Sequence, residues 1–294
     1  MHMSTAESTG AVLVGVDGSV SSRVAVDWGA RYAKLHNQPL RLVNIISSPV
    51  MMAWPEAPLP DGYLQWQEEQ SRDLLDAAVA TAAEAVTGVE VTTEILSGPT
   101  VATMIELTRE AGIVVVGCRG RGALARGLLG SVSSTLVRHA HCPVAVVHDE
   151  DPLMADPAKA PVLVGIDGSR ASEAATAIAF DEASRRGVDL VAVHAMSDAD
   201  VLSMPGQQFS EFEQRGQEVL AERLAGYSER YPDVAVRRIV VWDKPANTLI
   251  EQSDNAQLVV VGSHGRGGFT GMLLGSVSAS VVQAVRMPVI VARA

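Results

Sequence analysis

The chain has 294 residues, 47% hydrophobic and 19% charged, enough for about two hydrophobic cores and too apolar for a disordered protein. A formal net charge of −11 with a pI near 5.1 excludes non-specific attraction to nucleic acid or anionic membrane, so any anion site must be built locally. Two cysteines, Cys118 and Cys142, suit a reducing compartment; Met1–Gly10 lacks a basic or apolar signal region and no run approaches about 18 apolar residues, so a cytoplasmic protein without membrane insertion is expected.

Ala11–Val16 reads as a buried strand ending on Asp17-Gly18-Ser19, a turn and helix-cap combination. An amphipathic helix is expected over Ser21–Leu35, stopped by Asn37-Gln38-Pro39, and a second strand over Leu40–Ile46. This is the length of a right-handed parallel crossover. Ser47–Asp61 carries Pro49, Pro55, Pro58 and Pro60 around Met51, Met52 and Trp54, and reads as a loop that either covers something or folds back on its own core. Asp61–Val86 is an expected helix, Val89–Leu96 a strand, Thr100–Ala111 a helix, Ile113–Gly117 a strand, Ser131–His139 a helix and Pro143–His148 a strand. Five strands alternating with four helices make a parallel α/β sheet. Cys118 follows one strand and Cys142 precedes another, so in a parallel sheet they lie at opposite ends. Glu150–Ala160, with Pro152 and Pro157, reads as a linker, which sets domains at 11–149 and 161–294 joined by 150–160.

The plan then starts again. Val162–Ser169 nearly copies Val12–Ser19, and Met287-Pro288-Val289 answers Cys142-Pro143-Val144. A period near 145 residues is a duplicated domain, since solenoid repeats run only about 20–50 residues. The feature that organises each copy is an apolar strand, a Gly-rich loop and a helix start. Gly117, Gly120, Gly130 and Ser131 recur with identical spacing as Gly262, Gly265, Gly275 and Ser276. Glycines let backbone approach an anion, and the free N–H groups of a helix start attract one. If the first and fourth strands flank the switch point of the sheet, the Asp17 turn faces the Gly117 loop across one crevice, with Asn44-Ile45 as a wall. Asp17 and Asp167 are then either helix-capping turn residues or acceptors for a sugar or base. Walker A is absent, and Gly120-Arg121-Gly122 matches the dinucleotide fingerprint only literally, because it follows the fourth strand.

The Gly-x-x-Gly, nine residues, Gly-Ser spacing together with Asp-Gly-Ser after the first strand resembles the ATP-binding branch of the universal stress protein family, here as a tandem pair over about Ala11–Asp149 and Pro161–Arg293. The resemblance implies two Rossmann-like domains, each an open five-stranded parallel sheet of order 3-2-1-4-5 with helices on both faces. It implies ATP, with Mg2+ as an optional companion, in one site per domain. Adenine would lie by Asp17, Ile45 and Val116, and ribose and phosphates by Gly117, Gly120, Gly130, Ser131, Val132 and Ser133. The matching second set is Asp167, Ala195, Val261, Gly262, Gly265, Gly275, Ser276, Val277 and Ser278. It also implies pairing of fifth strands, within one chain or in a homodimer, and a stress-response role exercised through a regulatory protein partner.

Three functions remain open on the residues. One is a nucleotide-dependent sensor without catalysis; the second is a slow ATPase or autokinase using Ser131, Ser133 or Ser276; the third is an ATP-independent interaction module using the Met51-Met52-Trp54 loop. Arg119, Arg121 and Arg126 around the first loop, and Arg266 and His264 at the second, are either solvated or assist phosphate. His139, His141 and Cys142 lack the fourth ligand of a tetrahedral zinc site, so no metal centre is expected.

Overall fold

A computed structural model describes residues 10–47, 61–120, 129–150, 156–196, 209–242, 244–265 and 273–293. The chain divides into two compact units, Met1–Asp149 and Glu150–Ala294.

In the first unit the strands are β1 (Ala11–Gly15), β2 (Leu40–Ile46), β3 (Val91–Ser97), β4 (Ala111–Gly117) and β5 (Val144–Val147). They form a parallel array in the order β3-β2-β1-β4-β5, the expected 3-2-1-4-5. Val12, Val14, Leu42, Val114, Val115 and Val144 are fully buried, as apolar strands covered on both faces should be. The helices are α1 (Val20–His36), α2 (Tyr63–Ala85), α3 (Thr100–Leu107) and α4 (Ser131–His139). Successive strand residues point to opposite faces. A Cβ on Gly29 of α1 would sit 2.8 Å from Val14, whereas one on Gly15 would meet Met104 of α3 at 3.2 Å, so α1 and α3 cover opposite faces of β1.

The second unit repeats this with β6 (Val162–Gly165), α5 (Arg170–Arg186), β7 (Leu190–Met196), α6 (Phe209–Arg230), β8 (Val236–Trp242), α7 (Pro245–Ser253), β9 (Leu258–Gly262), α8 (Ser276–Ala284) and β10 (Val289–Ala292). Its parallel order is β8-β7-β6-β9-β10. Leu163, Phe180, Leu190, Leu220, Leu224 and Ile290 fill its core.

Local chemistry sets the element ends. Ser19 caps α1 by accepting from Ser22 N at 3.1 Å, and Ser169 caps α5 from Ser172 N at 3.2 Å. Both helices stop on left-handed residues, Asn37 (φ 52°) and Gly187 (φ 63°), whose N–H groups return to the last carbonyls. The helix expected over Thr100–Ala111 ends at Leu107, because Thr108 Oγ1 donates to Ile105 O at 2.6 Å and closes the last turn; β4 begins at Ala111. Cys118 follows β4 and Cys142 precedes the parallel β5, which puts the two buried thiols at opposite ends of the sheet, with no disulfide between them. The Met51-Met52-Trp54 loop and Arg121, Arg126 and Arg266 lie outside the described residues.

Candidate functional site

The strand order reverses at β1, between β2 and β4, and a cleft of about 550 Å³ opens beyond the carboxyl ends of these strands. The nine residues that the resemblance assigns to the nucleotide in the first unit all line it: Asp17, Ile45, Val116, Gly117, Gly120, Gly130, Ser131, Val132 and Ser133. Its size falls in the range of small-molecule sites, about 300–1,000 Å³.

One wall is the turn after β1. Asp17 Oδ1 accepts from Ser19 N at 2.9 Å, an Asx turn made possible by Gly18 at φ 78°. Ser22 Oγ receives the Asp17 N–H at 3.2 Å and Asn44 Nδ2 donates to Val16 O at 2.7 Å, so β2 and α1 both hold the turn. The second unit reproduces it. Asp167 Oδ1 accepts from Ser169 N at 2.9 Å, and the Asn44 bond is replaced by a 2.7 Å contact between His194 Nδ1 and Ile166 O.

The facing wall is the glycine loop. A Cβ on Gly117 would lie 2.6–2.7 Å from the Ser21 backbone and Cβ, and one on Gly262 would lie 2.7–2.9 Å from the Ala171 and Ser172 backbone. These two glycines let the fourth strand of each sheet pass against the first turn of α1 or α5. A Cβ on Gly120 would lie 2.8 Å from Asp17 Oδ2, and one on Gly265 2.6 Å from Asp167 Oδ2. The loop backbone thus closes onto each aspartate.

Gly130 and Gly275 occupy a third kind of position, the N-caps of α4 and α8. Gly130 N donates to Cys118 O at 2.8 Å and Gly275 N to Ser263 O at 2.7 Å, which brings each helix start back over its strand end. Neither helix has a side-chain cap, in contrast to the serine-capped α1 and α5. The first-turn N–H groups of Ser131, Val132 and Ser133 therefore start an uncapped helix at the cleft, carrying the partial positive charge of a helix N-terminus. Ser133 is buried, and its hydroxyl donates to Cys118 O and Gly130 O, both at 3.1 Å; Ser278 Oγ donates to Gly262 O at 2.5 Å. These two side chains pin the helix start, whereas Ser131 and Ser276 are exposed. Val132 and Val277 sit half-buried beside them, and Ala195 and Val261 lie at the ends of β7 and β9.

Sequence reasoning left Arg119 either solvated or near phosphate. The structure gives it a short ion pair with Asp149, which follows β5, while Arg119 also lines the cleft. Asp149 additionally accepts from Ser21 Oγ at 3.1 Å and lies 3.8 Å from Cys118 Sγ. Burial pushes its carboxyl up, but hydrogen bonds from Arg119 and Ser21 and the guanidinium charge outweigh this and hold it below the usual carboxylate range. At the corresponding loop position of the second unit His264 contacts Ser263 Oγ through Nδ1 at 3.0 Å. Among the described residues no group of three or more His, Cys, Asp or Glu could hold a metal ion.

Sequence reasoning missed the helical walls: Trp66, Gln67, Gln70, Ser71 and Leu74 of α2, and Thr100, Val101 and Met104 of α3. The available signal was Gln67 and Ser71 on the same stripe as the buried Leu75, Ala78 and Ala82.

Residues 9–148 and 160–293 each match the universal stress protein family. The chain belongs to that family. It is 57% identical over 285 residues to a universal stress protein of Mycobacterium tuberculosis, covering 96% of each chain. A second from that organism is 52% identical over 294 residues and 99% of each chain. A universal stress protein of Mycolicibacterium smegmatis is 50% identical over 285 residues and 96% of each. The crystal structure of a universal stress protein from Archaeoglobus fulgidus matches with a TM-score of 0.73 at 21% identity, covering 98% of this chain and 99% of that one, which supports the fold. Among the described residues no helix of this universal stress protein is long and apolar enough to cross a membrane.

Proposed function

We propose that each unit binds ATP and that the protein is a nucleotide-dependent sensor of the stress response. The observation that carries this reading is the contrast between helix starts: α1 and α5 are closed by serine caps, whereas α4 and α8 begin on bare glycine at the glycine loop. Phosphate oxygens supply the acceptors that such a start lacks. A Cβ on Gly130 would have its nearest protein neighbour at 3.5 Å, so the cradle is kept open by more than internal packing. Asp17 and the apolar Val43, Ile45, Val116 and Met104 suit the sugar and base of an adenine nucleotide at the other side of the same cleft. Mg2+, if it accompanies the nucleotide, neutralises phosphate charge that Arg119, already paired with Asp149, meets only in part.

Retention is favoured over turnover. Phosphoryl transfer requires a cation clamp and a residue that positions the nucleophile. Among the described residues lining the first cleft the one carboxylate is Asp17, and its Oδ1 is held in the Asx turn. The test is calorimetry on nucleotide-free protein titrated with ATP, with NAD as control. Two ATP per chain, at dissociation constants near micromolar (about −8 kcal/mol), and loss of one site each in Gly130→Ala and Gly275→Ala, are expected. No heat with folded, empty protein refutes the reading.

A further inference from the structure

Helix α2 contributes to the cleft a group that the phosphate side does not use. Gln67 lines the cleft one turn before Ser71 on the stripe that continues through Leu75, Ala78 and Ala82. Its amide oxygen is buried, and it is the one buried side-chain nitrogen or oxygen among the described residues that meets no hydrogen-bond partner. Its neighbours are satisfied: Ser71 Oγ donates to the Gln67 carbonyl at 2.9 Å, Gln65 to Glu69 at 3.2 Å and Arg72 to Glu68 at 3.2 Å. A buried acceptor without a donor is destabilising, and native proteins keep few of them. Carried by a residue that lines a ligand-sized cleft, this acceptor can be satisfied by a ligand donor once the side-chain amide turns toward it.

The end of the cleft it occupies follows from topology. The glycine loop and α4 follow β4, on one side of the switch point; α2 follows β2, on the other. With phosphates at Gly130–Ser133, the α2 side belongs to the base. We infer that Gln67 is a specificity-determining residue whose amide oxygen accepts a hydrogen bond from the exocyclic amine of adenine; this rests on the proposal that the cleft holds ATP. Hypoxanthine carries a carbonyl oxygen where adenine carries that amine, so it sets one acceptor against another. The second unit has no glutamine at the matching position. The 145-residue offset that relates buried Ser71 and Leu75 to buried Gly216 and Leu220 places Phe212 at the position of Gln67. The first site discriminates among bases by this hydrogen bond.

The experiment uses the full chain carrying Gly265→Val, which drives a side chain toward Asp167, 2.6 Å from the position of a Cβ, and leaves the first site to answer alone. ATP and inosine triphosphate are titrated calorimetrically. ATP is expected to bind about tenfold more tightly, and Gln67→Met, of similar length, to remove that preference by weakening ATP while sparing inosine triphosphate. Gln67→Glu, which keeps an acceptor oxygen, is expected to retain the preference. Without nucleotide, Gln67→Met should melt no lower than its parent, because an orphaned acceptor is removed. An unchanged ratio of the two affinities in Gln67→Met overturns the role of Gln67 while leaving ATP binding intact. Failure of the parent to bind either nucleotide overturns the ATP reading together with it.

Discussion

Gly117→Ala and Gly130→Ala are both glycine substitutions in one loop, yet packing predicts opposite phenotypes. The new Cβ at position 117 would stand 2.6 Å from the Ser21 carbonyl carbon and 2.7 Å from its oxygen. Ordinary carbon contacts are about 3.5–4.0 Å, so β4 and the first turn of α1 must separate by roughly 1 Å. Both are regular elements held by backbone hydrogen bonds, which places the cost toward the upper part of the overpacking range, about 2–3 kcal/mol. For a unit of this size that lowers the melting midpoint by roughly 4–12 °C. At position 130 the nearest neighbours are at 3.5 and 3.6 Å, and φ −63°, ψ 161° suits alanine. The expected loss there is under about 1 kcal/mol, with ATP affinity falling about tenfold or more because the methyl group occupies the phosphate approach. Scanning calorimetry of the two variants, followed by ATP titration below the first transition, separates the effects. A Gly117→Ala protein that melts with wild type would refute the packing argument, and a Gly130→Ala protein with undiminished affinity would refute the cradle.

Other expectations follow from the same contacts. The carboxyl of Asp149 is held below its ordinary value of 3.8 in the folded chain. Its stabilising contribution is therefore complete above that value and is lost as pH falls through the depressed folded value. The gap in melting midpoint between wild type and Asp149→Asn should be largest near neutrality and shrink in acid; a gap that widens in acid contradicts the ion pair. Ser19→Ala removes the α1 cap and should cost about 1 kcal/mol in urea denaturation, whereas loss of the Ser131 hydroxyl, which caps nothing, should leave stability within about 0.5 kcal/mol. Asp17→Asn retains an oxygen for the Asx turn but loses the charge; it should keep the melting midpoint and weaken ATP about tenfold by calorimetry.

The central strands and the glycine loop were legible because each rests on short-range chemistry, whereas the strand order came with the family resemblance. Val12–Val14 and Val114–Val116 are apolar, valine-rich runs flanked by glycine, and the spacing from Gly117 to Ser131 is repeated at Gly262 to Ser276. Thr108 was not read as a helix stop, since it is neither Gly nor Pro; its hydroxyl ends α3 by bonding Ile105 O. Nothing in the sequence sets Gln67 apart from the other polar residues of its helix, and only the placement of α2 brings it to the cleft. The partner of Arg119 was hidden for a different reason. Asp149 lies thirty residues further on, and β5, running parallel beside β4, brings the two together.

That ion pair has a mechanical meaning. Arg119 stands at the root of the glycine loop, and Asp149 is the last residue of the first unit, immediately before the segment that leads to the second. A displacement of the loop root pulls on the point where the polypeptide leaves its first sheet, and tension along the connecting segment pulls on the loop. Ser21 Oγ, bonded to the same carboxylate, adds the start of α1 as a third strut of the joint. The second unit has Ala171, Ser263 and His264 where the first has Ser21, Cys118 and Arg119. Among the described residues this brace is particular to the first unit.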